Sequence, residues 1–97
     1  MTTERKFDNG ALTITVAGRL DTITAPELER EIGDLNDVQD LIIDMKNLDY
    51  ISSAGLRVIL KAQKIMNIKG SMKLVNVGES IMEVFEITGF SDILTIE

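Results

Sequence analysis

Leu41-Ile42-Ile43-Asp44-Met45-Lys46-Asn47-Leu48-Asp49-Tyr50-Ile51-Ser52-Ser53-Ala54-Gly55-Leu56-Arg57-Val58-Ile59-Leu60 is the stretch that decides the fold. Leu41, Ile42 and Ile43 form a short apolar run of the kind a buried strand shows. From Ser53 to about Ile68 the spacing becomes helical. Leu56, Ile59, Leu60, Gln63 and Met66 mark one face, widened by Val58, Ala62 and Ile65, with Arg57, Lys61 and Lys64 opposite. So wide a stripe predicts a helix that packs across a sheet. Ser52 and Ser53 stand just before this pattern, so one of them is the expected N-cap. A serine hydroxyl at a helix start is also a good place for a phosphate. The free amides and the positive end of the helix dipole favour an anion there.

Upstream, Thr3 to Phe7 and Ala11 to Ala17 read as two strands joined by Asp8-Asn9-Gly10, where Asn-Gly is a strong hairpin signal. Leu12, Ile14 and Val16 alternate with Thr13, Thr15 and Ala17, giving one buried face. Gly18 to Ile23 reads as a loop. Thr24-Ala25-Pro26-Glu27 has the form of a capping box, and Leu28, Ile32 and Leu35 fit the buried stripe of a short helix. The central strand is expected over Asp40 to Asp44.

Downstream, Met72 to Val77 reads as a strand, with alternation leaning to Lys73, Val75 and Val77 as the inward set. Glu79 to Ile87 reads as a third helix with Ile81, Val84, Phe85 and Thr88 on one face, and Ile93 to Ile96 as a last strand. The expected order is β-β-α-β-α-β-α-β. Strands alternating with helices favour parallel neighbours. The expectation is an α/β fold: a single domain over residues 1–97, with a mixed, mostly parallel sheet, an N-terminal antiparallel hairpin and three helices.

Composition narrows the chemistry. The 97 residues contain no cysteine and no histidine. Disulfides and thiolate chemistry are excluded, a Ser-His-Asp triad cannot be built, and a zinc site would have only carboxylates to use. Ser52-Ser53-Ala54-Gly55 is not a nucleophile elbow, and no glycine-rich phosphate loop is present. A non-enzymatic protein without metal or cofactor is expected. The net charge of -6 with scattered basic residues argues against nucleic acid. Met1 to Lys6 lacks an apolar signal core and no window approaches a membrane-spanning length, so a soluble, cytoplasmic protein is expected.

Tyr50-Ile51-Ser52-Ser53-Ala54-Gly55-Leu56 resembles the signature of the STAS-domain anti-sigma factor antagonists, the anti-anti-sigma factors. That signature is a strand and short loop ending in Asp-Ser-[Ser/Thr/Ala]-Gly-[Leu/Met], then a helix. Gly18-Arg19-Leu20-Asp21, Thr24 to Leu28, Ile43-Asp44, Leu48 through Ile51 and Phe85-Glu86-Ile87-Thr88-Gly89-Phe90 resemble further family motifs in the same order. Anchoring on Gly55 and Leu56 places Ser53 on the family's phosphorylated serine, with Ser52 as the alternative. Ser52 stands where the family usually has aspartate, which removes a charge beside the phosphoacceptor. The sequence also ends right after the expected last strand, where many relatives carry a further helix, and a narrower partner surface is expected.

The resemblance implies a phospho-switched binding module. Unmodified, it binds an anti-sigma factor that is also a GHKL-type serine kinase. Phosphorylation of Ser53 releases it, and a PP2C-type phosphatase resets it. The partner-facing residues that follow are Asp21, Thr22, Tyr50, Ser52, Ser53, Ala54, Gly55 and Arg57. Asp21 reads equally as an Asx-turn residue, and Thr22 as a loop residue. A monomer is the default. A constitutive docking subunit of a lipid-transport ABC system, or a nucleotide or small-molecule sensor, are the alternatives.

Overall fold

A computed structural model describes residues 1–33 and 35–97. Strand β1 (Thr2–Asp8) and strand β2 (Ala11–Leu20) form the N-terminal hairpin. Asn9 and Gly10 take φ values of 50° and 82°, the paired left-handed conformation of a tight hairpin turn that Asn-Gly favours. Helix α1 (Ala25–Ile32), strand β3 (Asp40–Ile51), helix α2 (Ser53–Lys69), strand β4 (Ser71–Val75) and helix α3 (Glu79–Thr88) follow, then a short 3-10 turn at Phe90–Asp92. The sheet order is β1-β2-β3-β4. β1 runs antiparallel to β2, while β2–β3 and β3–β4 are parallel. The mixed, mostly parallel sheet with a leading hairpin is the architecture that the residue pattern predicts.

The core sits on one face of the sheet. Register brings Leu12, Leu41 and Met72 into one row and Ile14, Ile43 and Leu74 into the next. All six are buried, and Leu28 and Ile32 of α1, Ile59 and Met66 of α2, and Ile81 and Phe85 of α3 complete the same cluster. On the opposite face Thr13, Thr15, Ile42, Asp44, Lys73 and Val75 remain partly exposed. β4 therefore turns Met72 and Leu74 inward, and the expected set of Lys73, Val75 and Val77 is corrected. The reason is register: only that alternation aligns apolar side chains with Leu41 and Ile43.

β3 is longer than its apolar run suggests. From Asp40 to Met45 burial alternates every second residue, then Met45, Leu48 and Ile51 are buried at intervals of three. Two one-residue register shifts against β2, between Thr15 and Ala17 and between Gly18 and Arg19, account for the change. Each bulge adds a residue to β3 and bends it. The apolar run Leu41-Ile42-Ile43 stops at Asp44, so pattern reading ends the strand there, while pairing carries it to Ile51. β2 likewise continues to Leu20, three residues past its alternating run, where a loop was expected from Gly18.

Three further expectations are corrected. Thr24 does not form a capping box: its backbone is helical (φ -91°, ψ -18°), and its hydroxyl makes no cap bond. An N-cap side chain accepts from the first turn when its own backbone is extended. Leu35 is buried but lies beyond α1, with φ 59°. Ile93 to Ile96 is not a full strand. Ile96 makes a single bridge to Leu74, with Leu74 N–H donating to Thr95 O and Glu97 N–H donating to Leu74 O, both at 2.9 Å. β4 is only five residues long, and Asn76 turns left-handed just after it (φ 57°), so little edge remains to pair with. The Thr95 amide instead donates to the side chain of Gln63 at 3.3 Å.

Candidate functional site

The two bulges decide where the serines go. They carry Tyr50 level with Arg19 and Ile51 level with Leu20. Ser52 N–H then donates to Leu20 O at 2.9 Å, one bond past the end of the paired strands. The start of α2 is thereby fixed at the carboxyl ends of parallel neighbours β2 and β3, the usual ligand-facing edge of an α/β sheet.

Ser52 is the cap. Its backbone is extended (φ -97°, ψ 174°) and its Oγ accepts from Gly55 N–H at 3.4 Å, a long bond. It is half-buried. Ser53 is the first residue of α2, and its side chain is exposed, with no hydrogen-bond partner among the described residues. The division of labour between the two serines, open from the residues alone, is settled for capping: Ser52 holds the helix and the Ser53 hydroxyl is left to solvent.

Gly55 fixes the depth of the helix. A Cβ at this position would lie 2.7 Å from Leu20 Cγ and 3.0 Å from Ile51 Cγ1. Leu20 is fully buried, so α2 seats directly on the ends of β2 and β3 only because no side chain intervenes. Gly55 is itself buried and Ala54 half-buried.

Asp21 organises the neighbouring loop. Its Oδ1 accepts from the amides of Ile23 and Thr24, both at 3.0 Å, and lies 3.1 Å from the Thr24 hydroxyl. The Asp21 amide donates to Thr24 Oγ1 at 2.8 Å, and that hydroxyl donates to Arg19 O at 2.8 Å. The donors, chiefly the Thr24 backbone N–H, hold the Asp21 carboxyl below its ordinary range, against an opposing effect of desolvation. The hydroxyl that was expected to cap α1 is spent on this loop, and the Asx-turn reading of Asp21 is observed.

Arg19 joins the two edges. Its guanidinium carbon sits 4.1 Å from the centre of the Tyr50 ring, and its Nε is 3.8 Å from Asp21 Oδ2. A cation over an aromatic face at that separation is attracted by the ring quadrupole. Tyr50 remains 41% exposed, Thr22 and Arg57 are exposed, and Ile23 is 82% exposed. The structure thus gathers Asp21, Thr22, Tyr50, Ser52, Ser53, Ala54, Gly55 and Arg57 at one end of the sheet. It adds two residues that pattern reading did not single out. Arg19 was legible only as part of a motif. Ile23 carried a signal in plain sight, an isoleucine in a polar loop with no periodic partner.

At this end of the molecule Thr22, Ile23, Tyr50, Ser53 and Arg57 are all exposed. A depression of about 480 Å³, lined by residues including Asp40, Gln63, Asn67, Ser71, Lys73 and Glu97, lies at the opposite end, where β3 and β4 begin. Among the described residues there is no cluster of three or more acidic side chains suited to a metal. No helix among them is long and apolar enough to cross a membrane.

Residues 2–97 match the STAS domain family. The chain is 33% identical over 93 residues to the anti-sigma-B factor antagonist of Bacillus subtilis, covering 94% of this chain and 85% of that protein. The crystal structure of an anti-sigma factor antagonist from Mycobacterium paratuberculosis superimposes with a TM-score of 0.87 at 24% identity, covering 98% of this chain and 83% of that one. The Bacillus cell fate determinant SpoIIAA in its phosphorylated form superimposes with a TM-score of 0.78 at 17% identity, covering 99% of this chain and 91% of that one. Helix-covered mixed sheet, serine-led α2 and sequence match agree, and the chain belongs to the STAS domain family.

Proposed function

We propose that this chain is an anti-sigma factor antagonist, acting as a single domain over residues 1–97 and switched by phosphorylation of Ser53. The observation that carries the reading is the free, exposed Ser53 hydroxyl at the first position of α2, beside a Ser52 already engaged as cap. The relative at 33% identity is named as an anti-sigma-B factor antagonist, and a protein of the same fold is known in a phosphorylated form. The open surface around Ser53 suits a protein partner better than a small ligand.

Unmodified, the domain docks its Asp21, Thr22, Ile23, Tyr50 and Ser53 edge on an anti-sigma factor of the GHKL kinase type, which frees a sigma factor. The kinase then moves the γ-phosphoryl group of ATP to Ser53 Oγ, releasing ADP and the hydroxyl proton. The phosphate brings a charge of about -1.5 to -2 and three acceptor oxygens. The amides at the start of α2 favour that anion, so the fold holds and the interface changes. One decade of affinity is about 1.4 kcal/mol, which a desolvated dianion readily supplies. A PP2C-type phosphatase hydrolyses the ester and restores binding. The reading places the protein in the cytoplasm, as a monomer that forms one-to-one complexes.

Incubation with the cognate kinase and ATP, followed by mass spectrometry, is the test. A single phosphate on Ser53 and loss of kinase affinity in Ser53→Asp, with Ser53→Ala still bound, are expected. Modification confined to Ser52, or no modification, refutes the assignment.

A further inference from the structure

Ser53 and Arg57 stand four residues apart on α2, with the hydroxyl on the N-terminal side. On a helix such side chains share a face, with Cβ atoms about 5–6 Å apart. Both lean toward the helix N-terminus, so a long side chain at the second position extends back toward the first. Both residues are exposed. Several other cations are committed: Arg5 Nε donates to Glu31 O at 3.2 Å, Arg19 lies on Tyr50, and Lys61 pairs with Glu29 at 2.8 Å. Arg57 has no ion pair or hydrogen bond to any described residue. At the same end of the sheet Asp21 is engaged by the Ile23 and Thr24 amides, and Asp49 is exposed.

We propose that Arg57 is a built-in counter-ion for phosphorylated Ser53, closing on the phosphate as an intrahelical ion pair. The inference rests on the reading of Ser53 as the modified residue. An anion four residues before a cation is the favourable order on a helix. The planar guanidinium can meet two phosphate oxygens at once. The modification then alters the docking face twice: it adds a dianion, and it withdraws an arginine that is uncommitted among the described residues from any partner carboxylate. The switch acts by recalling a contact as well as by repulsion.

The test uses the full chain with phosphoserine installed at position 53 during translation, so that no kinase is needed. The second ionisation of the phosphate is followed by phosphorus NMR. A nearby cation favours the dianion and lowers this pKa. The ordinary strength of a helical ion pair four residues apart converts to about 0.3 pH unit. Arg57→Gln is expected to raise the pKa by about that amount, Arg57→Lys by less, and Lys64→Gln not at all. The difference between wild type and Arg57→Gln should shrink in high salt. Identical pKa values for wild type and Arg57→Gln overturn the proposal. So does an Arg57→Gln loss of thermal stability that is equal in phosphorylated and unphosphorylated chains, because a merely structural arginine would behave that way. Failure of a kinase to modify Ser53 would refute the functional reading and leave this measurement standing.

Discussion

Gly55→Ala adds one methyl group, and the structure says where it would go: 2.7 Å from Leu20 Cγ and 3.0 Å from Ile51 Cγ1. Two effects of opposite sign compete. Alanine in place of glycine favours a helix by up to about 1 kcal/mol, and by less in a first turn. Overpacking a filled core costs about 1–3 kcal/mol. Leu20 Cγ is a branch point of a fully buried side chain, not a mobile tip, so it has little room to retreat. Packing wins, and the net loss is about 1–2 kcal/mol. For a chain of this size that lowers the melting temperature by on the order of 10 °C, read by far-UV circular dichroism. Leu20→Ala alone costs about 2–5 kcal/mol through the cavity it leaves. Once Leu20 is truncated, however, the methyl at position 55 has space. The double variant should therefore be less destabilised than the two single losses added together, by about 1 kcal/mol or more. A Gly55→Ala protein as stable as wild type, or strict additivity within about 0.5 kcal/mol, would refute the claim that Gly55 sets the seat of α2.

The two serines should separate in stability. Ser52→Ala removes the cap, and with a bond as long as 3.4 Å the loss is about 0.5–1 kcal/mol, whereas Ser53→Ala stays within about 0.5 kcal/mol of wild type in urea unfolding. The reverse order would mean that Ser53, not Ser52, holds the helix. Asp21 should give an acid-sensitive signature. Its carboxyl is held low in the fold, so its contribution is fully present above the ordinary carboxylate value of about 3.9 and is lost as pH falls through the lower folded value. The melting-temperature gap between wild type and Asp21→Ala should be constant above about pH 5 and close on acidification, and a gap that ignores pH would count against the Asp21 loop.

The parts of the fold that were legible are those where local pattern and tertiary demand coincide. The Asn9-Gly10 turn, the alternation of Leu12, Ile14 and Val16, and the wide stripe of α2 each carry their own period. The misreadings share a cause. Two bulges break the alternation of β3 after Met45, and a bulge is a property of two strands at once, invisible in one. β4 shows the same limit: Lys73 and Val75 alternate as well as Met72 and Leu74 do, and only the register against Leu41 and Ile43 chooses between them. The tail near Ile96 fails as a strand because its partner is short, which its own residues do not record. At the candidate site, the motif placed Asp21 and the serines together. The stacking of Arg19 on Tyr50 depends on the second bulge, and so did not follow from spacing.

The seating of α2 bears on how a charge at Ser53 would be felt. Three contacts hold the loop before the helix: Ser52 N–H to Leu20 O, the Ser52 cap, and Gly55 against Leu20. The first is an ordinary hydrogen bond, about 1 kcal/mol net, and the second, at 3.4 Å, contributes about 0.5–1 kcal/mol. The third ties the loop to the core, so moving it means opening buried surface around Leu20. A phosphate on an exposed side chain gains little from such a movement, since solvent and Arg57 are already within reach. The least costly response is a change of surface charge on an unmoved backbone. A partner docked there faces a different balance: desolvating a dianion without compensating donors costs several kcal/mol, which is more than two decades of affinity. The rigid seat therefore directs the effect of modification outward. The same reasoning makes Gly55→Ala informative beyond stability, because a loosened seat would let the loop absorb part of the charge and blunt the contrast between the two forms.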